Sequence, residues 1–239
     1  MQRRHELNFV GRFPQQQHSG GVIGRSSRGR SMFVAQRSRG LQRNLKLPFL
    51  PPENWHAPQE HCQGYRILTQ EPGSGYRHVL SPDDVRQRLS ELPARFCRDL
   101  QVVQLSRMTR KKRGFPCYGM QWGTSLYLYP IEETLVERYH SPPTPAQLTE
   151  ARMYGGQWEQ ESNQVWRLVW TEAAIRDFYL NNILIHELGH LVDHRNDGYR
   201  DRERFAEWFA IQYGYKTSRR LEPTRGASPR RRHHKRSFG

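Results

Sequence analysis

The chain has 239 residues, with 38 lysines and arginines against 23 acids, a formal charge of +15 and an isoelectric point near 10.3. Residues 1–47 and 216–239 together carry 19 of the basic residues and only two of the acids, which leaves residues 48–215 close to neutral. The high isoelectric point therefore belongs to two arms rather than to a basic nucleic-acid-binding domain, and no window approaches the roughly 20 apolar residues that span a bilayer.

Residues 1–47 are rich in Gly, Gln, Ser and Arg with few spaced apolar positions, the composition of a disordered basic arm, and residues 216–239 are expected to behave alike. Runs such as Arg25-Ser26-Ser27-Arg28-Gly29-Arg30 and Arg230-Arg231-Arg232-His233-His234-Lys235-Arg236 can attract phosphate by counterion release but have no means of reading sequence. Affinity for nucleic acid or another anionic surface weighs equally here against plain solvated disorder. No apolar stretch of signal-peptide length follows the charged start, so a cytoplasmic protein is expected, with export by a non-classical route as the alternative. Cys62, Cys97 and Cys117 are odd in number and widely spaced, which fits thiols in a reducing compartment and not a disulfide framework.

Pro48–Pro58 forms a proline-punctuated lead-in. Ser81-Pro82-Asp83-Asp84 predicts a helix to about Leu92, with Ser81 as cap, Pro82 in first position and acids in the first turn. Leu100–Leu105 and Thr124–Tyr129 cluster β-formers between turn residues and predict strands. Between them, Arg110-Lys111-Lys112-Arg113-Gly114-Phe115-Pro116 reads as a basic hairpin or loop in solvent. Ile131–Tyr139 forms another helix or continues the sheet. Ser141-Pro142-Pro143-Thr144-Pro145 opens a helix over Ala146–Tyr154, and Val165–Trp170 is a buried strand or the lead into the next helix.

That next helix carries the chemistry. Thr171 caps a run to Ile185 that lacks Gly and Pro. Ala174, Phe178, Ile185, Leu188 and Val192 recur at helical spacing, and Leu180, Leu184 and Leu191 widen the stripe, which leaves His186 and His190 on its flank. His186-Glu187-Leu188-Gly189-His190 puts two imidazoles one turn apart on one face, able to converge on one Zn²⁺. Glu187 cannot reach the same ion comfortably, but it can take a proton from a water held at the open coordination position. A five-residue match of this kind also arises by chance, and its place on an amphipathic helix is what makes it informative. Asn196-Asp197-Gly198 then stops the helix.

A catalytic zinc needs a third protein ligand. A second helix over Asp201–Tyr213 offers Glu203 and Glu207, four apart on one face, one as ligand and the other as hydrogen-bond partner of a ligating histidine. After a tight antiparallel turn, a rise of about 1.5 Å per residue would bring Glu207 level with the histidines. His194 lies about 12 Å along the axis from His186 and reads as a helix-end histidine near the negative dipole. Tyr199, just before Glu203, is the nearest candidate to donate to a developing oxyanion, or equally an aromatic that closes the loop on the core.

Glu203-Arg204-Phe205-Ala206-Glu207-Trp208-Phe209-Ala210 resembles the E-x-x-A-E/D-x-F-A helix of gluzincin zinc metallopeptidases. His186 to Asp193 likewise resembles the H-E-F-G-H-A-V-D stretch of the anthrax lethal factor-like peptidase domain family. The resemblance spans residues 171–213. It implies Zn²⁺ held by His186, His190 and Glu203, Glu187 as catalytic base, Glu207 hydrogen-bonded to a zinc histidine, Asp193 as a supporting acid near the helix end, and hydrolysis of peptide bonds in a protein or peptide substrate. Only twelve residues separate His190 from Glu203, where the relatives carry a long insertion, so Glu207 stays open as the ligand. Metzincins are excluded, because Asn196 stands at their third histidine and Asp193 at their glycine.

The expected architecture is α+β: a single zincin-like domain over 48–215, with a small mixed sheet, an active-site helix beneath it and a glutamate helix, flanked by the basic tails. Such sites pair extended substrate with an edge strand, and Gly123–Tyr129, ended by Pro130, is the expected edge. The expected function is zinc-dependent peptide hydrolysis. The alternative is the same fold as a binding or regulatory module tethered to nucleic acid or another anionic surface by its arginine-rich arms.

Overall fold

The computed structural model describes residues 52, 55–60, 64–114 and 117–221; the expected arm over 1–47 and, of the expected tail over 216–239, residues 222–239 lie outside this range, as does Cys62. Strand β1 (Arg66–Thr69) and the short β2 (Tyr76–Arg77) precede α1 (Pro82–Ser90). The start of α1 is the one its residues dictate: Ser81 Oγ accepts from the Asp84 amide, the Asp84 carboxylate accepts from the Ser81 amide, and Pro82 fills the first turn. Then come β3 (Val102–Leu105), α2 (Arg110–Gly114), the hairpin of β4 (Gly119–Trp122) and β5 (Ser125–Leu128), and two short strands, β6 (Ile131–Glu132) and β7 (Val136–Tyr139). Helix α3 (Pro145–Met153) is capped by Thr144 in a reciprocal pair with Gln147. It is followed by β8 (Gln157–Ser162) and β9 (Val165–Val169).

Two long helices close the chain. The first runs unbroken over 172–192 as α4 (Glu172–Phe178), a π-helical turn (Tyr179–Ile183) and α5 (Leu184–Val192), with Thr171 capping it through the Ala174 amide. The second runs over 199–221 as α6 (Tyr199–Phe209), another π-helical turn (Ala210–Tyr215) and α7 (Lys216–Leu221). The helix thus continues past residue 215, where composition placed the domain boundary. No helix among the described residues is long and apolar enough to cross a membrane.

The fold is mixed α+β. Its main sheet has the order β1-β3-β5-β4, with β1, β3 and β5 parallel and β4 antiparallel to β5. A three-stranded antiparallel sheet, β7-β9-β8, and the β2-β6 ribbon stand beside it. Strands β3 and β5 are buried at every position, as strands covered on both faces are. One face contributes Val103, Leu105, Leu126 and Leu128 to the core shared with Phe178, Leu184, Ile185 and Leu188 of the first long helix. On the other face Met120, Tyr127 and Tyr129 form a smaller cluster.

Two expectations are corrected here. The segment Gly123–Tyr129 is not an edge: β5 lies between β3 and β4, because the hairpin turn at Gly123 and Thr124 folds β4 back over its outer side. The free edge beside the helix is β4. Nor is the basic run a solvated loop, since Arg110–Gly114 is helical and Lys112 is buried, its ammonium donating to Cys117 Sγ at 3.1 Å and lying 4.2 Å from the centre of the Tyr129 ring.

The two long helices touch closely. A Cβ at Gly189 would meet the Cα of Ala206 at 2.9 Å and the Cβ of Phe209 at 3.2 Å, so only glycine lets α6 approach α5 at this distance. Further along, the buried Arg88 guanidinium donates to Asn181 Oδ1 at 2.7 Å and to the Tyr213 carbonyl at 2.5 Å, which ties one π turn to the other. The Gly189→Ala variant is expected to lose about 1–3 kcal/mol of stability in urea titration, with weaker metal uptake because α6 must withdraw. Gly198→Ala, whose added Cβ meets nothing closer than Asp201 Oδ2 at 3.5 Å, is the control: it should lose no more than about 1 kcal/mol, through the poorer N-cap of α6 alone.

Candidate metal centre

His186 and His190 stand one turn apart on α5 with their Nε2 atoms 3.1 Å from each other. Glu203, from the second turn of α6, places one carboxylate oxygen 3.4 Å from His190 Nε2 and the other 3.7 Å from His186 Nε2. Four ligands at zinc bond lengths of about 2.0–2.1 Å in a tetrahedron stand about 3.3 Å apart. Two imidazole nitrogens and a carboxylate at 3.1–3.7 Å therefore match the face of such a tetrahedron, and among the described residues these three form the one group of His, Cys, Asp or Glu that could hold a metal ion. The donor set, two nitrogens and one oxygen, suits zinc.

The loop 193–198 explains why Glu203 reaches the histidines. Helix α5 ends at Val192, Asp193 turns extended at ψ 91°, and α6 starts only at Tyr199. The buried Asp193 carboxylate accepts from the Arg195 and Asn196 amides at 3.2 Å and from the Asn196 side chain at 3.0–3.1 Å. Its hydrogen bonds hold the loop. Arg202 then donates to the His190 carbonyl at 3.1 Å, joining the start of α6 to the end of α5. Glu207, one turn beyond Glu203, lines the same cavity and acts on His186 through its charge. Tyr199 opens α6, one turn before Glu203, and is not among the residues lining the cavity. His194 faces Asp99 at 3.4 Å, away from the centre.

Electrostatics divide the groups by role. Burial pushes the His186 pKa down, but the hydrogen bond that its ring donates to Glu203 and the charges of Glu187, Glu203 and Glu207 more than offset this and raise it to about 9. Burial and the neighbouring His186 charge lower His190 to about 3. The carboxylates thus favour the charged form at His186, and burial favours the neutral form at His190. Burial raises Glu187 to about 7, aided by the Glu203 charge and opposed by His186, the Gln121 backbone amide and Lys112. A carboxylate poised near neutrality suits a proton acceptor.

Strand β4 presses against this carboxylate. A Cβ at residue 119 would sit 2.8 Å from both Cγ and Oε1 of Glu187, so the strand passes only because Gly119 has no side chain. The cavity in front continues past the metal ligands to Cys117, Met153, Ile183 and the pair Glu150 and Asn182. In that pair Asn182 Nδ2 donates to Glu150 Oε1 at 2.6 Å. Asn182 was legible, lying four residues before His186 and hence on its face. Glu150 and Gly119 were not, because they arrive from α3 and β4 through the tertiary fold.

Comparison of the chain with protein-family models, with curated proteins and with solved structures returned no match.

Two measurements test the centre. Glu203→Ala is expected to lose bound zinc in elemental mass spectrometry, while Glu207→Ala keeps most of it; the reverse pattern would move the ligand to residue 207. Zinc also has to displace the His186 proton, because only a neutral imidazole binds metal. Below the His186 pKa of about 9 zinc affinity should fall as pH falls, by up to about tenfold per unit, and level off above it. Since His190, at about 3, is already neutral, calorimetry in buffers of different ionisation enthalpy should find about one proton released per zinc near pH 7.

Proposed function

We propose that the protein is a zinc-dependent metallopeptidase of the gluzincin type, with His186, His190 and Glu203 as zinc ligands and Glu187 as general base. The observation that carries this reading is the meeting of Glu203, from a second helix, with both imidazole nitrogens at 3.4 and 3.7 Å, in one cavity with the buried Glu187 carboxylate. A purely structural pair of helices has no use for two imidazoles and an acid gathered at metal-ligand spacing. The resemblance of residues 171–213 to the lethal factor-like peptidases supports the same conclusion.

Bound zinc would polarise the scissile carbonyl and make a water acidic enough to attack at neutral pH. The remaining work falls to side chains and backbone of this chain. Glu187 accepts the proton of the attacking water and returns it to the leaving amine, a role for which a pKa of about 7 is well placed. The Gln121 amide touches Glu187 and holds it in place. Glu207 adds negative charge beside His186, which strengthens the imidazole as a donor.

Strand β4 supplies the means to hold extended peptide. Its inner side pairs with β5, where Tyr118 O accepts from the Tyr129 amide at 2.8 Å, and its outer side pairs with no strand among the described residues, the Gln121 amide there donating to Glu187. Strand alternation turns the main-chain groups of Gly119 and Gln121 outward, and Gly119 lines the cavity. A substrate strand added there would lie alongside Glu187 by main-chain hydrogen bonds.

The test is Glu187→Gln, which keeps size and removes the base. Cleavage of a peptide library, followed by mass spectrometry, should fall by about 10²–10⁴-fold with the zinc content unchanged. Equal cleavage by both proteins would refute the mechanism.

A further inference from the structure

Beyond the metal ligands, the cavity has a feature that hydrolysis itself does not use. Glu150, from α3, is 92% buried (8% exposed) and lines the cavity with Asn182, one turn before His186 on the first long helix. Asn182 satisfies Glu150 Oε1, and among the described residues the other carboxylate oxygen has no hydrogen-bond partner. Four carboxylates line the cavity, Glu150, Glu187, Glu203 and Glu207, and no lysine or arginine does. One divalent cation offsets at most two of these carboxylates, and Glu150, which feels the His186 charge, lies close to the candidate ligands.

We propose that Glu150 is the specificity-determining residue of a subsite beside the metal centre, and that the substrates are peptides presenting a lysine or arginine side chain to it. The inference rests on the metallopeptidase reading for the position of the scissile bond. The subsite matches such a side chain at both ends. Its walls, Met153, Tyr154, Ile183 and Ile211, suit an aliphatic stem, and its carboxylate suits a cationic head. The scale fits as well: Asn182 lies one helical turn, roughly 5–6 Å, from His186, about the reach of a four-carbon stem from the main chain. Asn182 holds one oxygen of Glu150, and the second is not sealed away from solvent, so a cationic head entering the cavity can reach a carboxylate already fixed in place. An uncharged side chain of equal length would leave the oxygen unpaired, which is the condition under which a polar subsite discriminates most strongly.

The experiment uses the full zinc-loaded chain. Cleavage sites in a proteome-derived peptide library should show lysine or arginine enriched at one position flanking the scissile bond. A matched peptide pair with lysine or norleucine there should differ by at least about tenfold in kcat/KM. Glu150→Gln should bring the two within about twofold while zinc content and norleucine-peptide cleavage are retained. Cleavage with no basic preference at any flanking position, or a preference that survives in Glu150→Gln, overturns the proposal. If Glu150→Gln does not fold, the wild-type library profile and the peptide pair decide alone. Calorimetry of the same two peptides on zinc-loaded Glu187→Gln separates the two readings: lysine-selective binding without any hydrolysis by the wild type sinks the peptidase and keeps the subsite, and equal binding sinks the subsite.

Discussion

The contact between Gly189 and Ala206 governs the candidate site. A glycine between the two histidines of α5 removes the one side chain that would hold α6 away, and the approach it permits carries Glu203 to within 3.7 Å of both imidazole nitrogens. The same glycine sits inside the metal-binding motif, so the residue that lets the helices meet and the residues that use the meeting are neighbours in sequence. Arg88 secures the other end of the pairing by bonding to both π turns, and Arg202 secures the near end through the His190 carbonyl. A ligand triad drawn from two helices is only as well defined as their separation, and here three independent interactions fix it.

Around that crossing the fold gathers carboxylates and lines the cavity with no lysine or arginine. Four carboxylates face the cavity, and the Lys112 ammonium stays behind its wall, against Cys117 and Tyr129. Burial raises Glu187 to about 7, whereas at His186 the surrounding carboxylates outweigh burial and favour the charged imidazole. The pattern is that of a site built for cations. His186, His190 and Glu203 form one candidate cation position, and Glu150 lines the same cavity a helical turn away.

Much of this was legible in the residues, and the illegible part has a physical reason. Local signals read directly: Ser81 and Thr171 cap helices through the amides three residues on, as short polar side chains before apolar runs do, and the i, i+4 spacing of His186 and His190 fixes a shared face. Whether Glu203 or Glu207 meets them could not be settled, because the answer depends on the extended path of loop 193–198 and on the helix separation set by Gly189. The edge strand was misplaced for a similar reason. Thr124–Tyr129 has the stronger β-forming composition, and that composition marks the strand buried on both faces, whereas the true edge, Gly119-Met120-Gln121-Trp122, is short and starts with glycine. The basic run 110–116 looked like solvent-facing charge because composition cannot show that one of its lysines turns inward to a thiol and an aromatic ring.

The unpaired outer side of β4 also bears on how the molecule behaves in concentrated solution. Apart from the Gln121 amide, which bonds Glu187, its outward amides and carbonyls are open to any other extended chain, a second copy included. The strand is four residues long, and the carboxylate of Glu187 stands against it at Gly119. Short length and a nearby charge are two of the ways natural sheets discourage self-association. The geometry that leaves room for one incoming segment thereby limits the growth of larger assemblies along the same ladder.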